Sequence, residues 1–481
     1  MKHKFYFFLK LFVVISAFSS CIGDDYEYSQ NNDDPTSSSN VNSKTLVFSY
    51  DKFNDENDVK IISADTTRIL VNKNFLKKNN IEININNDSI PVVIWRTIET
   101  EPFIRNIINI EDSGKDIELT TVRGDMGDVF PNADFNLQTD VYVNNKAPKS
   151  ITRSSGITSI NPQRYTDEEG IIHPSVYIVK ENIVEIDQDG NPINNTTKAI
   201  DKNYFTAEEL YAENADFRIL NVDYCFADRE YNLYDDNDIN VKFYAKGMHI
   251  KAKSGLKVNI KTRWFKLKSF ECIAYGDMYS ESEFGFLAKS SGTLDFEKEF
   301  AKFGSCTSIF WVGAIPVAVS VNTGLKVVGS MDMSAECDIS TNINCNANFE
   351  TGVEWKNGWD NISYGYANVS HGLNFSNKMK FDTNADIAAL VYANVSLYGC
   401  GGPGIELGPQ ITANASAEIN YLASQEGFKE TLSANYNINT NLIGKVTAEL
   451  RILKWQLAYW EYPFEIWEGP SYSKSWTEEI N

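Results

Sequence analysis

The chain has 481 residues and a formal net charge of −21. That acidity excludes nucleic-acid binding, which needs a basic footprint. The length suffices for two or three domains at ~100–200 residues each. With 13% aromatic residues and only 13 prolines, the composition favours long uninterrupted strands.

The N-terminus reads as an export signal. Lys2, Lys4 and Lys10 flank an apolar stretch from Phe5 to Phe18. That stretch is shorter than the ~20 residues needed to cross a bilayer, so it is expected to be removed. Ala17, Phe18, Ser19 and Ser20 precede Cys21. Small residues at this distance resemble a lipoprotein signal, in which Cys21 becomes the acylated first residue. The alternative is an ordinary signal peptide with an incidental cysteine. Residues 22–40 hold five acids and neither Lys nor Arg. They bury too little to repay their ordering entropy and are expected to form a disordered acidic tether over 21–44. The acidic patch also resembles the surface-export signal of Bacteroidetes lipoproteins. That implies an outer-membrane, surface-exposed location, with a periplasm-facing body as the alternative.

Residues 45–130 read as a small β-rich domain, with strands over 61–71, 81–95 and 117–122. Asp65-Thr66-Thr67 and Asp88-Ser89-Ile90 resemble O-glycosylation acceptors of Bacteroidetes exported proteins. Residues 131–215 read as an irregular connecting region punctuated by Pro131, Pro148, Pro162, Pro174 and Pro192. Its one expected helix starts at Thr206-Ala207-Glu208-Glu209, a capping pattern running to Ala212. Asp187-Gln188-Asp189-Gly190-Asn191 resembles the start of a calcium loop but lacks the closing acid, and a hairpin turn is the better reading. Asp235-Asp236-Asn237-Asp238 reads the same way.

Residues 216–481 carry the main signal. From Val321 to Trp355, odd positions such as Val321, Leu325, Val327, Met331, Cys345 and Val353 are apolar. Even positions are polar except Val328. Strand side chains alternate faces with period two, so one buried and one wet face run in register through the segment, with bends expected at Gly324, Gly329 or Gly352. Similar alternation recurs over 248–264, 379–397, 411–421 and 432–452. Turns are expected at Lys356-Asn357-Gly358 and from Tyr398 to Gly404. Antiparallel sheets with one buried face show this pattern, and two such sheets make a sandwich. The expected fold is all-β: an elongated antiparallel sandwich of unusually long strands behind a smaller β-rich domain.

Beyond Cys21, six cysteines permit three disulfides in an exported chain. Cys337 and Cys345 share one strand face at ~26 Å separation, too far to pair. Lys251, Lys253, Lys257, Lys261 and Arg263 share the wet parity of their strand. They form a candidate anionic-ligand face; the alternative is pairing with acids on neighbouring strands, or protection of an exposed edge. Near the C-terminus, Trp455, Tyr459, Trp460, Tyr462, Phe464, Trp467, Tyr472 and Trp476 are expected to be mainly buried at one end of the sandwich.

Three stretches in order carry a family resemblance: Gly313-Ala314-Ile315-Pro316-Val317, the alternating run ending at Trp355-Lys356-Asn357-Gly358-Trp359, and Tyr398-Gly399-Cys400-Gly401-Gly402-Pro403. Over residues 215–425 the layout resembles a group of large, uncharacterised bacterial cell-surface β-proteins. That resemblance brings no catalytic residues.

No chemistry-bearing motif stands out. His173, His249 and His371 lie far apart in sequence without zinc spacing. There is no nucleophile elbow, P-loop or dinucleotide fingerprint, and carboxylates are too numerous to single out a glycosidase pair. The sequence therefore implies no catalytic or metal-ligating residue and no cofactor. It reads as a non-enzymatic surface lipoprotein for adhesion, structural or ligand-binding work. Its partners would be the membrane, through the lipid, and a glycan, lipid or host surface protein. Two alternatives stand: a binder of a lipid or other amphiphile in an apolar groove between the long strands, and an enzyme with an unfamiliar site.

Overall fold

The computed structural model describes residues 41–84, 89–139, 165–166, 170–187, 189, 191–196, 204–206, 220–236, 239–263, 266–290, 292–333, 336–375, 383–398, 402–424, 427–448, 460–469 and 471–480. Cys21, residues 22–40 of the acidic tether and the expected helix beyond Thr206 lie outside them. The tether's expected last residues, 41–44, are not disordered: the Asn42 amide donates to the Val129 carbonyl at 2.8 Å, and Val41 packs against the core.

Six strands come first: β1 (Leu46–Ser49), β2 (Val59–Ile61), β3 (Arg68–Asn72), β4 (Ile90–Trp95), β5 (Phe103–Ser113) and β6 (Asp116–Arg123). They form one sheet in the order β1-β4-β5-β6-β3-β2. Two short helices accompany it. Helix α1 (Lys73–Lys78) is capped by Asn72, whose side chain accepts from the Asn74 amide. Helix α2 (Met126–Val129) starts at a capping box between Asp125 and Asp128. Neither is evident from the alternation pattern.

Eight further strands follow: β7 (Asp134–Gln138), β8 (Tyr165–Thr166), β9 (Ile171–His173), β10 (Val176–Ile186), β11 (Pro192–Thr196), β12 (Tyr204–Thr206), β13 (Leu220–Cys225) and β14 (Arg229–Asp236). The region read as irregular thus carries six strands within 131–215, each a member of one of two large sheets. Thr206 is the last residue of β12. These strands take their stability from longer partners; β10, for example, pairs with residues 301–309.

The long strands are β15 (Ile239–Arg263), β16 (Lys266–Ser290), β17 (Gly292–Val312), β18 (Ile315–Met333), β19 (Glu336–Trp355), β20 (Trp359–Phe375), β21 (Thr383–Leu397), β22 (Pro403–Ser424) and β23 (Gly427–Ala448), followed by β24 (Trp460–Glu468) and β25 (Tyr472–Ile480). β15 and β16 each have 25 residues, several times the ~5–6 residues of an ordinary strand. The expected turns fall between β19 and β20 and between β21 and β22.

A nine-stranded sheet runs β20-β19-β16-β15-β7-β9-β8, with β13 and β14 also on β15. A ten-stranded sheet runs β11-β10-β17-β18-β21-β22-β23-β24, with β12 on β10 and β25 on β23. The Val321–Trp355 run is therefore not one strand. It divides between Met333 and Glu336, at none of the three glycines, and its halves lie in opposite sheets. Parity survives because each half turns its odd residues inward. Val321, Leu325, Val327 and Met331 are buried from one side, Cys345, Ala347 and Val353 from the other.

The two inner faces meet in one apolar layer. Val241, Ile250, Met278 and Ala347 of the nine-stranded sheet share a cluster with Leu325, Ile387, Leu407 and Ile438 of the ten-stranded sheet. A second cluster links the sandwich to the first sheet. There Trp95 of β4 lies 5.9 Å from Trp311 of β17, ring centre to ring centre, and Thr307 donates to Glu101 at 2.6 Å. On β15, Gly247 adopts φ +56°, a left-handed conformation that glycine takes without strain. The register shifts there, between Lys246 and His249, so the outward set changes from Tyr244 and Lys246 to His249, Lys251 and Lys253.

Candidate functional site

The outer face of the nine-stranded sheet collects the polar side chains that alternation expels from the core. Register places them in rows across the strands. One row runs Gly255, Tyr275, Glu350, Tyr364. The next runs Lys253, Asp277, Asn348, Tyr366. The third runs Asp223, Lys251, Tyr279, Asn346, Asn368, and the fourth His249, Glu281, Asn344, Ser370. Neighbouring strands are ~4.8 Å apart and same-face residues along a strand roughly 6.6 Å, so these rows make a continuous field of amides, carboxylates and phenols.

The basic stripe lies on this field, and the structure changes its meaning. β15 is an interior strand with partners on both sides, so the stripe does not guard an edge. Lys251 Nζ is 3.3 Å from Asp223, Lys257 Nζ 3.1 Å from Glu271 and Lys261 Nζ 2.8 Å from Asp134. Lys253 stands opposite Asp277, and Arg263 opposite Lys266. Acids on adjacent strands thus neutralise three of the five cations, which weakens the pull on an anionic ligand. His249 joins the same network, with Nε2 2.7 Å from Asp223 Oδ1. The His249 ring, with Lys251, holds the Asp223 carboxyl below the usual range despite some desolvation.

At the other end of the field the chemistry differs. Tyr364 is 77% exposed and Tyr366 69%, the largest values among the large hydrophobic residues whose side chains are described. They sit on β20, at the end of the sheet, with the exposed Gly365 between them; a Cβ on that glycine would stand 3.4 Å from Ile466 Cγ2 of β24. Asn348 donates to Asp277 at 2.7 Å, and Tyr279 donates to Glu281 at 2.7 Å. The two tyrosines are the feature that sequence reading missed. Tyr counts as apolar, so its presence on the wet parity of Trp359–Phe375 hides the alternation; that displaced parity was the available signal.

Among the C-terminal aromatics whose side chains are described, none is fully buried. Trp359 of β20 stacks on Trp460 of β24 at 6.4 Å, and Trp460 on Tyr462 at 5.9 Å. Trp460, Phe464 and Trp467 are half-buried, whereas Tyr462 and Tyr472 are exposed. Trp455 and Tyr459 lie outside the described residues. β24 lies along β23 at the rim of its sheet, which leaves one side of its rings to solvent.

The remaining candidates resolve simply. Asp187 Oδ1 accepts from the amides of Asp189 and Asn191 at 2.9 and 2.7 Å, so this segment is the hairpin turn between β10 and β11. Asp235 and Asp236 end β14. His173 is buried at the end of β9, far from His249 in the register of the sheet. Among the described residues no three His, Cys, Asp or Glu side chains gather closely enough to hold a metal ion. Cys225, Cys272 and Cys345 are free thiols, so three disulfides do not form. Cys337 and Cys345 stand opposite Ala288 and Ser280 on one continuous strand, with no chain reversal between them. Asp65 Oδ1 accepts from the Thr67 hydroxyl at 2.7 Å, and that bond, with help from Ser63, holds the carboxyl down at about 2. The chain matches no protein-family model, no curated protein and no solved structure.

Proposed function

We propose that this chain is a non-enzymatic, lipid-anchored protein of the bacterial outer surface that binds an external partner through the outer face of its nine-stranded sheet. The location rests on the lysine-flanked export signal, Cys21 and the acidic stretch behind it. The binding role rests on one observation above others: Tyr364 and Tyr366 stand exposed side by side on a rim strand, beside Asn346, Asn348, Asn368 and Glu350. Rigid rings with a polar tip give large contact area at low entropy cost, and the surrounding amides supply directional hydrogen bonds.

The reading as a lipid carrier has less support. Where the sheets face each other at Met248, Met278, Leu325 and Leu407, the void is about 10 Å³, too small for an acyl chain. Among the described residues no specific arrangement favours an enzyme.

The test is to screen the detergent-solubilised protein against arrays of extracellular-matrix proteins and glycans, alongside a Tyr364→Ala/Tyr366→Ala variant. Binding that the double variant loses supports the reading; silence on both arrays overturns it. Protease shaving of intact cells tests the location, since a surface protein is cut and a periplasm-facing one is protected.

A further inference from the structure

The opposite sheet carries a second surface that the tyrosine face does not use. Register aligns Asn384 of β21, Asn414 of β22, Asn437 of β23 and Ser473 of β25 in one row across four strands. Beside it Asn435 stands opposite Ser475. These groups line an open trough of about 740 Å³, within the ~300–1,000 Å³ range of small-ligand sites. Asn384, Asn414 and Asn435 are exposed, and Asn437 Oδ1 accepts from Ser471 at 2.8 Å. Among the described residues the lining holds no carboxylate and no aromatic ring, and its single charge is Lys474.

The geometry points to a site for a neutral oligosaccharide in this trough. An amide side chain offers two donors and an acceptor with two lone pairs, and a serine hydroxyl offers both roles. A sugar hydroxyl needs a donor and an acceptor together, and each asparagine and serine of this lining supplies both. The lining itself offers a cation no carboxylate, the nearest in register being Asp332 of β18 opposite Asn384 at the rim, and an apolar ligand would strand the amides without partners. The row repeats at the strand spacing of ~4.8 Å, close to the length of one pyranose ring, so successive rings of a chain lying across the strands would meet three amides and, at β25, the Ser473 hydroxyl. The proposal is independent of the tyrosine face, which lies on the other sheet.

The experiment is isothermal titration of the full-length protein in detergent with maltohexaose, cellohexaose, xylohexaose and mannohexaose, and with hexagalacturonate as the anionic comparison. At least one neutral hexasaccharide is expected to bind. Asn384→Ala and Asn414→Ala are each expected to weaken it at least tenfold. Lys474→Met and Tyr364→Ala/Tyr366→Ala are expected to change it less than twofold. Thermal unfolding followed by tryptophan fluorescence checks that the variants fold, and Asn414→Ser serves where the alanine variant does not. The proposal is overturned if no neutral hexasaccharide binds at millimolar concentration, if only hexagalacturonate binds and Lys474→Met removes it, or if binding survives both asparagine substitutions. Loss in the tyrosine variant alone would also overturn it, while leaving the outer face of the nine-stranded sheet as the binding surface.

Discussion

The phenol ring of Tyr275 lies across Gly255 on the neighbouring strand: a Cβ on that glycine would stand 2.5 Å from Tyr275 Cζ and Oη. One residue along β16, Gly276 faces backbone instead, and a Cβ there would stand 1.9 Å from the Lys253 carbonyl oxygen. A phenol at the end of a side chain can swing aside, whereas a carbonyl in a ladder moves only if the strands part. Gly255→Ala is therefore expected to cost under about 1 kcal/mol, and Gly276→Ala about 2 kcal/mol or more. Urea unfolding of the two variants checks the order.

Ion pairs should divide in the same way by burial. Lys326 Nζ sits 2.7 Å from Glu297 and 2.8 Å from Glu406, and Lys445 reaches Glu406 at 3.2 Å. Burial alone would lower the Lys326 pKa, but hydrogen bonds to Glu297 and Glu406 outweigh it and raise it. The side chains of Lys326 and Glu406 are only 12% and 11% exposed. Lys326→Met leaves Glu406 short of a partner and is expected to cost ~2–3 kcal/mol, toward the range for breaking a buried pair. Lys261→Met breaks a pair exposed by 57% and 47% and is expected to cost less than ~1 kcal/mol. Denaturation midpoints at equal m-values check both.

Asp386 supplies a pH signature. Burial raises its pKa above 3.8, although Gln410 donates to it at 2.6 Å and opposes the shift. A raised folded pKa means the protonated form stabilises the fold. That contribution is complete below pH 3.8 and is lost as pH rises through the folded value. Asp386→Asn, which keeps an acceptor for Gln410, should remove this fall. The variant is expected to gain stability relative to wild type between pH 4 and pH 7, as thermal melts across that range would show.

The thiols should sort by exposure. Cys225 is exposed, while Cys272 and Cys345 are buried. Desolvation pushes both buried thiols up, Cys345 to about 11, and alkylation needs the thiolate. Iodoacetamide at pH 8 is expected to label Cys225 in the folded protein and to reach Cys272 and Cys345 only after unfolding. Peptide mass mapping reads the result.

Much of this architecture is legible in the sequence because period-two alternation is local. The inward positions of β18 and β19 follow from parity alone, and the turns from their Gly and Asn. What alternation omits is which sheet a strand joins. Met333 and Glu336 belong to opposite sheets, yet both sheets bury the same parity, so the crossing leaves no trace in the pattern. The strands β7 and β10 escape notice because the long strands that hold them, β15 and β17, lie on distant segments. At the candidate site, the wet parity of Lys251, Lys257 and Lys261 is readable, but their neutralising acids, Asp223, Glu271 and Asp134, are brought there only by sheet register. Tyr364 and Tyr366 are missed because an aromatic on the outer face reads as a core residue.

Those distant pairings set a kinetic problem for the chain. Ser175 donates to Ile309 across 134 residues, Ala133 to Thr262 across 129, and Thr307 to Glu101 across 206. Such closures must be made before their contacts give any return, and folding slows steeply as average contact separation grows. Strands emerging early, such as β7 and β10, have near neighbours on one side only and must hold the other edge open for β15 and β17, synthesised much later. This sheet topology therefore calls for protection of bare edges while the chain folds, and folding should be limited by assembly of the two large sheets.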